Sequence, residues 1–222
     1  MKRKKVVFIG AAGTALNIIE QVIDSGKRYN EYVEPAGIII DTYKKGTIIS
    51  GIPVLGGLKD IAGYLADNDI YFIFALYKPE KLQERYNLLE SLNIPLNRFL
   101  NFFHPSSCVS KSFKCGTGNV ILGNSTVHSN VIFGNFNIIN SNVVIEHDTV
   151  LGDGNFLASG SCVGSRVKIG NHCFIGLNSS IRENVKVGNN LFVGMHSLVL
   201  SDFSDCLVAG VPAVKMTKNF MR

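Results

Sequence analysis

Every sixth residue from Val109 to Val199 is apolar, through sixteen consecutive positions. The series runs Val109, Cys115, Ile121, Val127, Phe133, Ile139, Ile145, Leu151, Leu157, Val163, Ile169, Ile175, Ile181, Val187, Val193, Val199. In a chain that is 46% apolar, such a run arises by chance on the order of once in 10^5 trials. A period of six matches neither the helical repeat of ~3.6 nor the strand repeat of ~2. It matches a parallel β-helix, where each hexad forms one flat side of a triangular prism and three hexads close a coil of about 18 residues. The stretch supplies about five such coils. Glycine often follows the apolar residue, as at Gly134, Gly152 and Gly170, and small or apolar residues such as Ser125, Val143 and Cys173 sit four places after it.

Composition excludes several classes of function. The net charge of +5 is modest. Its one basic cluster is Lys2-Arg3-Lys4-Lys5, with no basic stripe of interleaved aromatics, so no nucleic-acid partner is expected. The first twenty residues imitate a secretory signal, but Asn17 and Glu20 interrupt the apolar segment. No apolar run approaches the ~18 residues of a membrane span. The cysteines (108, 115, 162, 173 and 206) are odd in number and form no Cys-x-x-Cys. Cys115 and Cys173 fall on inward positions, as small core residues of a protein in a reducing cytoplasm.

Residues 1–102 follow a different grammar. A short strand, Val6-Val7-Phe8-Ile9, runs into Gly10-Ala11-Ala12-Gly13. A helical pattern follows through Leu16, Ile19, Val22 and Ile23 and stops at Gly26. A second strand, Gly37 to Ile40, ends at Asp41. Then come a helix over 58–65, a strand over 71–76 and a helix over 79–91. This alternation predicts a small parallel sheet flanked by helices, a Rossmann-like unit. Residues 103–222 form the β-helix and a C-terminal tail, beginning beside the turn at His104-Pro105.

Two constellations carry chemistry. A glycine turn between strand and helix, Gly10 to Gly13, offers backbone N–H groups and a helix dipole to an anion; glycine there also serves a tight turn for backbone reasons alone. Asp41 stands at a strand's carboxyl end, where an acid commonly takes ribose hydroxyls. The second constellation is Glu146-His147-Asp148. A histidine beside an acid is held in one tautomer and suits proton abstraction from an amine or hydroxyl; a plain surface histidine is the alternative. Ser165 lies one coil above His147, and its backbone N–H could polarise a thioester carbonyl. His147, His172 and His196 fall on three different faces. His128 shares the face of His147 without a third ligand, so no metal set is expected.

With these residues in place, the chain resembles the bacterial sugar O- and N-acyltransferases related to sialic-acid O-acetyltransferase and bacillosamine N-acetyltransferase. The resemblance covers essentially the whole length. It rests on Gly10-Ala-Ala-Gly13, Asp41, Phe103-His104-Pro105, the segment Asn140 to Asp148, the hexads, and Gly210-Val-Pro-Ala213. It implies a left-handed β-helix, a homotrimer, and acetyl-CoA in a groove between neighbouring β-helices. It also implies a nucleotide-linked sugar on the N-terminal unit, His147 as general base and Asp148 tuning it.

On this reading Ser165, Phe156, Leu177 and Met195 line the acetyl-CoA path. Gly10, Gly13, Thr14, Asp41, Leu76 and Asn140 surround the sugar nucleotide. The chain departs from the family pattern at Thr14-Ala15, at Leu76-Tyr77-Lys78, and at Phe156, where some relatives carry a second histidine. Tyr77 offers a ring for stacking and Lys78 a charge for a phosphate. Outward apolar residues such as Phe136 and Phe192 are expected to be covered by neighbouring subunits. The function expected is acetyl transfer to an amino or hydroxyl group of a nucleotide-linked sugar in surface-glycan biosynthesis. The alternatives are O-acetylation of a free sugar such as sialic acid, and a non-catalytic β-helix that only binds sugar nucleotides.

Overall fold

The computed structural model describes residues 4–29 and 33–217; Lys2, Arg3 and the last basic residues lie outside them. The N-terminal unit opens with β1 (Lys4–Ile9), α1 (Thr14–Tyr29) and β2 (Val33–Ile39). It continues with β3 (Ile48–Ile49), β4 (Ile52–Gly56), α2 (Ile61–Leu65), β5 (Ile70–Phe74) and α3 (Leu82–Ser91). The sheet order is β3-β4-β2-β1-β5. All pairs are parallel except the β3–β4 hairpin. β1 and the inner half of β2 are buried on both faces, which is why they read as continuous apolar runs.

Helix α1 runs past Gly26 to Tyr29, further than the sequence pattern suggests. Its buried stripe, Ala15, Ile18, Ile19, Val22 and Ser25, keeps helical spacing to the end, and Lys27 and Arg28 sit favourably in the last turn. Residues 58–60 and 79–81 are 3₁₀ turns that lead into α2 and α3, which are shorter than expected.

From Phe102 the chain coils into a prism of two-residue strands. The first face stacks Cys108–Val109, Thr126–Val127, Val144–Ile145, Cys162–Val163, Ser180–Ile181 and Leu198–Val199. The second stacks five strands from Lys114–Cys115 to Lys186–Val187, and the third begins at Phe102–Phe103 and ends in an antiparallel cap at Val214–Lys215. Each rung is parallel and joins residues one coil apart, as Val144 to Cys162 and Ile145 to Val163. These many parallel strands in stacked sheets fit the left-handed β-helix acyltransferase fold. The hexad residues fill the inside as one buried column from Ile121 to Val199, where each buried Val, Leu or Ile contributes roughly 1.5–3 kcal/mol.

Two regularities escape the apolar count. Every sixth residue from Gly118 to His196 has a positive φ, so each corner of the prism turns through the left-handed region. Asparagine holds many of these slots (Asn124, Asn130, Asn142, Asn178, Asn184, Asn190) because its short polar side chain tolerates that conformation. Inside the corner before the third face, Asn119, Asn137 and Asn155 form a buried ladder. The side-chain oxygen of each lower residue accepts from the backbone and side-chain N–H groups of the next at 2.9–3.0 Å.

The N-terminal unit packs on the third face, and one apolar cluster joins Val6, Phe8, Ile18 and Ile19 to Phe102, Val120, Ile138 and Phe156. Phe136 belongs to this seam. It is 2% exposed, edge-on to Phe99 and Tyr86, so the expectation that it lies outward for a subunit neighbour is corrected. Its corner conformation turns the ring toward α3 and the segment before β-helix entry. On the second face the outward apolar residues include Ile132 and Val150.

Candidate active site

His147 and Asp148 sit on the corner between the first and second faces. Ile145 points inward and anchors the strand. Asp148 then takes the left-handed slot, φ 60°, with its N–H bonded to the Ser129 carbonyl at 3.0 Å. That turn folds the carboxylate back onto its own neighbour: Asp148 Oδ2 lies 2.7 Å from His147 Nδ1. With Nδ1–H donating to the carboxylate, Nε2 is left as an acceptor. Both side chains are partly exposed. The bond to His147 comes first, and a second from Asn130 next, in holding the Asp148 carboxyl below the usual carboxylate range. The charge of Arg166 acts the same way.

The coils above and below complete this corner. Ser165 occupies the slot one coil above His147, and the Arg166 N–H bonds the His147 carbonyl at 3.0 Å. One coil below Glu146 stands His128, whose Nε2 is 3.7 Å from Glu146 Oε1. His172 and His196 lie on the two other corners. Among the described residues no three His, Cys, Asp or Glu side chains gather as a metal set.

The second constellation lies at the carboxyl ends of β1, β2 and β5. A cavity of about 250 Å³ there is lined by Ala11, Ala12, Ile40, Thr42, Ala75, Leu76, Tyr77, Lys78 and Arg85. Gly10 (φ 123°) and Gly13 (φ 58°) shape the turn beneath it, and Thr14 opens α1. Leu76 closes over Gly10: a methyl group added at Gly10 would come within 3.2 Å of Leu76 Cδ2. Asp41 is at this edge, but its Oδ1 already accepts the Leu58 N–H at 2.9 Å. Asn140 is not drawn in; it is buried in the β-helix with its amide donating to the Leu157 carbonyl at 2.9 Å. Tyr77 is not a free stacking surface. Its hydroxyl donates to the Phe136 carbonyl and its ring packs on Phe74 and Phe156.

A larger groove, about 800 Å³, runs between Lys78–Lys81 and the third face. Phe174, Phe192, Leu177, Met195, Leu207 and Met216 line its apolar side. Leu177 and Met195 are largely exposed and stack one coil apart. Phe156 stands apart from them, 6% exposed beneath Tyr77 and stacked on Phe174. The larger groove borders the third face and the smaller cavity belongs to the N-terminal unit packed on that face, whereas His147 is on the corner opposite it. Within one chain His147 and the cavities do not meet.

No protein-family model matches the sequence, and no curated protein matches it. Solved structures do. Perosamine N-acetyltransferase from Caulobacter crescentus, a histidine-to-asparagine mutant in complex with CoA and GDP-perosamine, is 25% identical with a TM-score of 0.83, covering 96% of this chain and 97% of that one. The acetyltransferase domain of PglB from Neisseria gonorrhoeae in complex with acetyl coenzyme A is 23% identical (TM-score 0.82, 96% and 100% covered). WeeI from Acinetobacter baumannii is 21% identical (TM-score 0.78, 95% and 99% covered). These last two speak for the fold. The coiled prism and these likenesses define an acyltransferase. Its structural neighbours are bacterial sugar acetyltransferases of the hexapeptide-repeat family.

Proposed function

We propose that this chain transfers an acetyl group from acetyl-CoA to an amino or hydroxyl group of a nucleotide-linked sugar, in a homotrimer whose sites are shared between copies. Residues 1–102 act as a Rossmann-like sugar-nucleotide unit, and residues 103–222 as a left-handed β-helix that carries the chemistry. The observation that carries the reading is the 2.7 Å contact from Asp148 to His147 Nδ1, which leaves Nε2 free to take a proton. Neighbours that hold CoA together with GDP-perosamine support the two-substrate arrangement.

In the reaction the acceptor nitrogen or oxygen attacks the thioester carbon while His147 Nε2 takes its proton. The Ser165 backbone N–H steadies the oxyanion. Collapse of the tetrahedral intermediate breaks the C–S bond, and the imidazolium returns the proton to the departing CoA thiolate. Gly10, Gly13 and Thr14 receive the acceptor's phosphates, and Lys78 and Arg85 add charge at the cavity. Asp41 contributes its unbonded oxygen to the ribose. Leu177 and Met195 guide the pantetheine, with Lys78 and Lys81 at the groove's rim for CoA phosphates. Because these cavities and His147 lie on opposite sides of one prism, base and substrates come from neighbouring copies. Five free cysteines suit work in a reducing cytoplasm.

Thiol release from acetyl-CoA, measured across nucleotide-linked amino sugars and free sialic acid, tests this reading. Turnover with a nucleotide-linked amino sugar and a 10²–10⁴-fold loss in His147→Ala is expected. Preference for a free hydroxyl sugar would select the O-acetyl alternative, and no thiol release with any acceptor would leave a binding protein.

A further inference from the structure

The corner beneath His147 contains a side chain that the proposed reaction, on which this inference rests, leaves without a role. The left-handed slots of successive coils stack as Asn130, Asp148, Arg166 and Asn184. Asn130 Nδ2 donates to Asp148 Oδ1 at 3.0 Å, while Asp148 Oδ2 holds His147 Nδ1 at 2.7 Å. The two carboxylate oxygens are thus gripped from two directions, and rotation about the last Asp148 torsion breaks both contacts. Asn130 is itself fixed, since its backbone N–H donates to Ser112 Oγ at 2.9 Å. From above, Arg166 is tied by Nε to Asn184 Oδ1 at 2.9 Å and keeps its charge near the carboxylate. Asp148 is partly exposed, and an unanchored carboxylate at such a site samples several rotamers. We infer that Asn130 is a positioning residue, which holds Asp148 in the one rotamer that keeps its carboxylate on His147 Nδ1 and so fixes the orientation of the imidazole.

Asparagine also fills several other corner slots for backbone reasons, so the test must separate the amide from the turn. Asn130→Gly keeps the left-handed turn, which glycine adopts freely, and removes the donor. Asn130→Asp keeps the shape and replaces the donor with a like charge. In both variants kcat is expected to fall on the order of tenfold, short of the 10²-fold that gross misplacement costs. KM for acetyl-CoA and for acceptor, and the thermal midpoint, should hold. In an Asp148→Ala background Asn130→Gly should cost nothing further, because residues acting as a unit are not additive. Wild-type kcat in both single variants, or a full additional loss on top of Asp148→Ala, would overturn the inference. Retained turnover in His147→Ala is a separate result that would sink the acetyl-transfer reading itself.

Discussion

The Tyr77 hydroxyl donates to the Phe136 backbone carbonyl at 2.9 Å, fastening the segment after β5 to a corner of the prism. The phenol is buried between Phe74 and Phe156, and burial pushes its pKa up. Tyr77→Phe removes the donor and leaves the carbonyl unpaired in an apolar seam, at a cost of about 1–3 kcal/mol. Chemical denaturation reads this directly. A variant as stable as wild type would mean that ring packing alone holds the seam.

The edge proposed for the acceptor is open to a selective block. At Gly13 an added Cβ meets nothing within 4 Å, and aspartate tolerates the left-handed conformation better than most residues. Gly13→Asp should therefore fold, repel the acceptor's phosphates and leave acetyl-CoA affinity unchanged. Calorimetry showing equal loss of both ligands would reveal misfolding instead.

Sites shared between copies can complement one another. His147→Ala and Gly13→Asp should each be nearly inactive alone. Co-expressed at equal levels, they should recover about one quarter of wild-type activity, since a site taking its base from one copy and its acceptor cavity from another is intact in that share. Failure to recover any activity, or a monomer mass by light scattering, would count against the shared site.

Within the prism, Asn137 donates to Asn119 Oδ1 and to the Gly152 carbonyl and accepts from Asn155. Asn137→Ala leaves several buried partners unpaired and should cost about 3 kcal/mol or more. A loss below ~1 kcal/mol in urea unfolding would show that the ladder is dispensable.

His172 supplies a pH dependence. Desolvation holds its pKa down from 6.5, outweighing the opposing charges of Asp153 and Glu90, and Tyr86 packs on its ring at 4.8 Å. The unfolded chain therefore binds the proton more readily, so stability is full above the unfolded pKa and falls as pH drops below it. The thermal midpoint of wild type should decline on the acid side more steeply than that of His172→Asn, which suits the same left-handed slot. Parallel profiles would show that His172 is uninvolved.

The coil period, the inward column and the pairing of His147 with Asp148 were legible because apolar spacing and adjacency are written in one dimension. The seam was not. Phe136 reads as an outward aromatic by period, and only its left-handed corner and the arrival of α3 bury it. Tyr77 reads as a stacking ring, yet its hydroxyl found a carbonyl 59 residues away. Asn140 lies in a family-like segment and Phe156 at a departure from the family pattern; the structure buries both, Asn140 with a backbone bond and Phe156 in aromatic packing. Asn130 was within reach of sequence reading, since it stands 18 residues before Asp148; no apolar pattern points to it.

Asp148 occupies a slot that bends left-handed whatever residue fills it, as Asn130 below and Arg166 above do. The chemistry is thus a tenant of a periodic seat, and the prism acts as a graduated rule marked every ~4.8 Å along its axis. Moving the His-Asp pair by one coil would leave its local geometry unchanged and carry the base one graduation along. On the proposed reading, shifting the pair along the prism retunes the reach between base and acceptor in whole coils, so adaptation by that route to a longer or shorter acceptor proceeds in discrete steps.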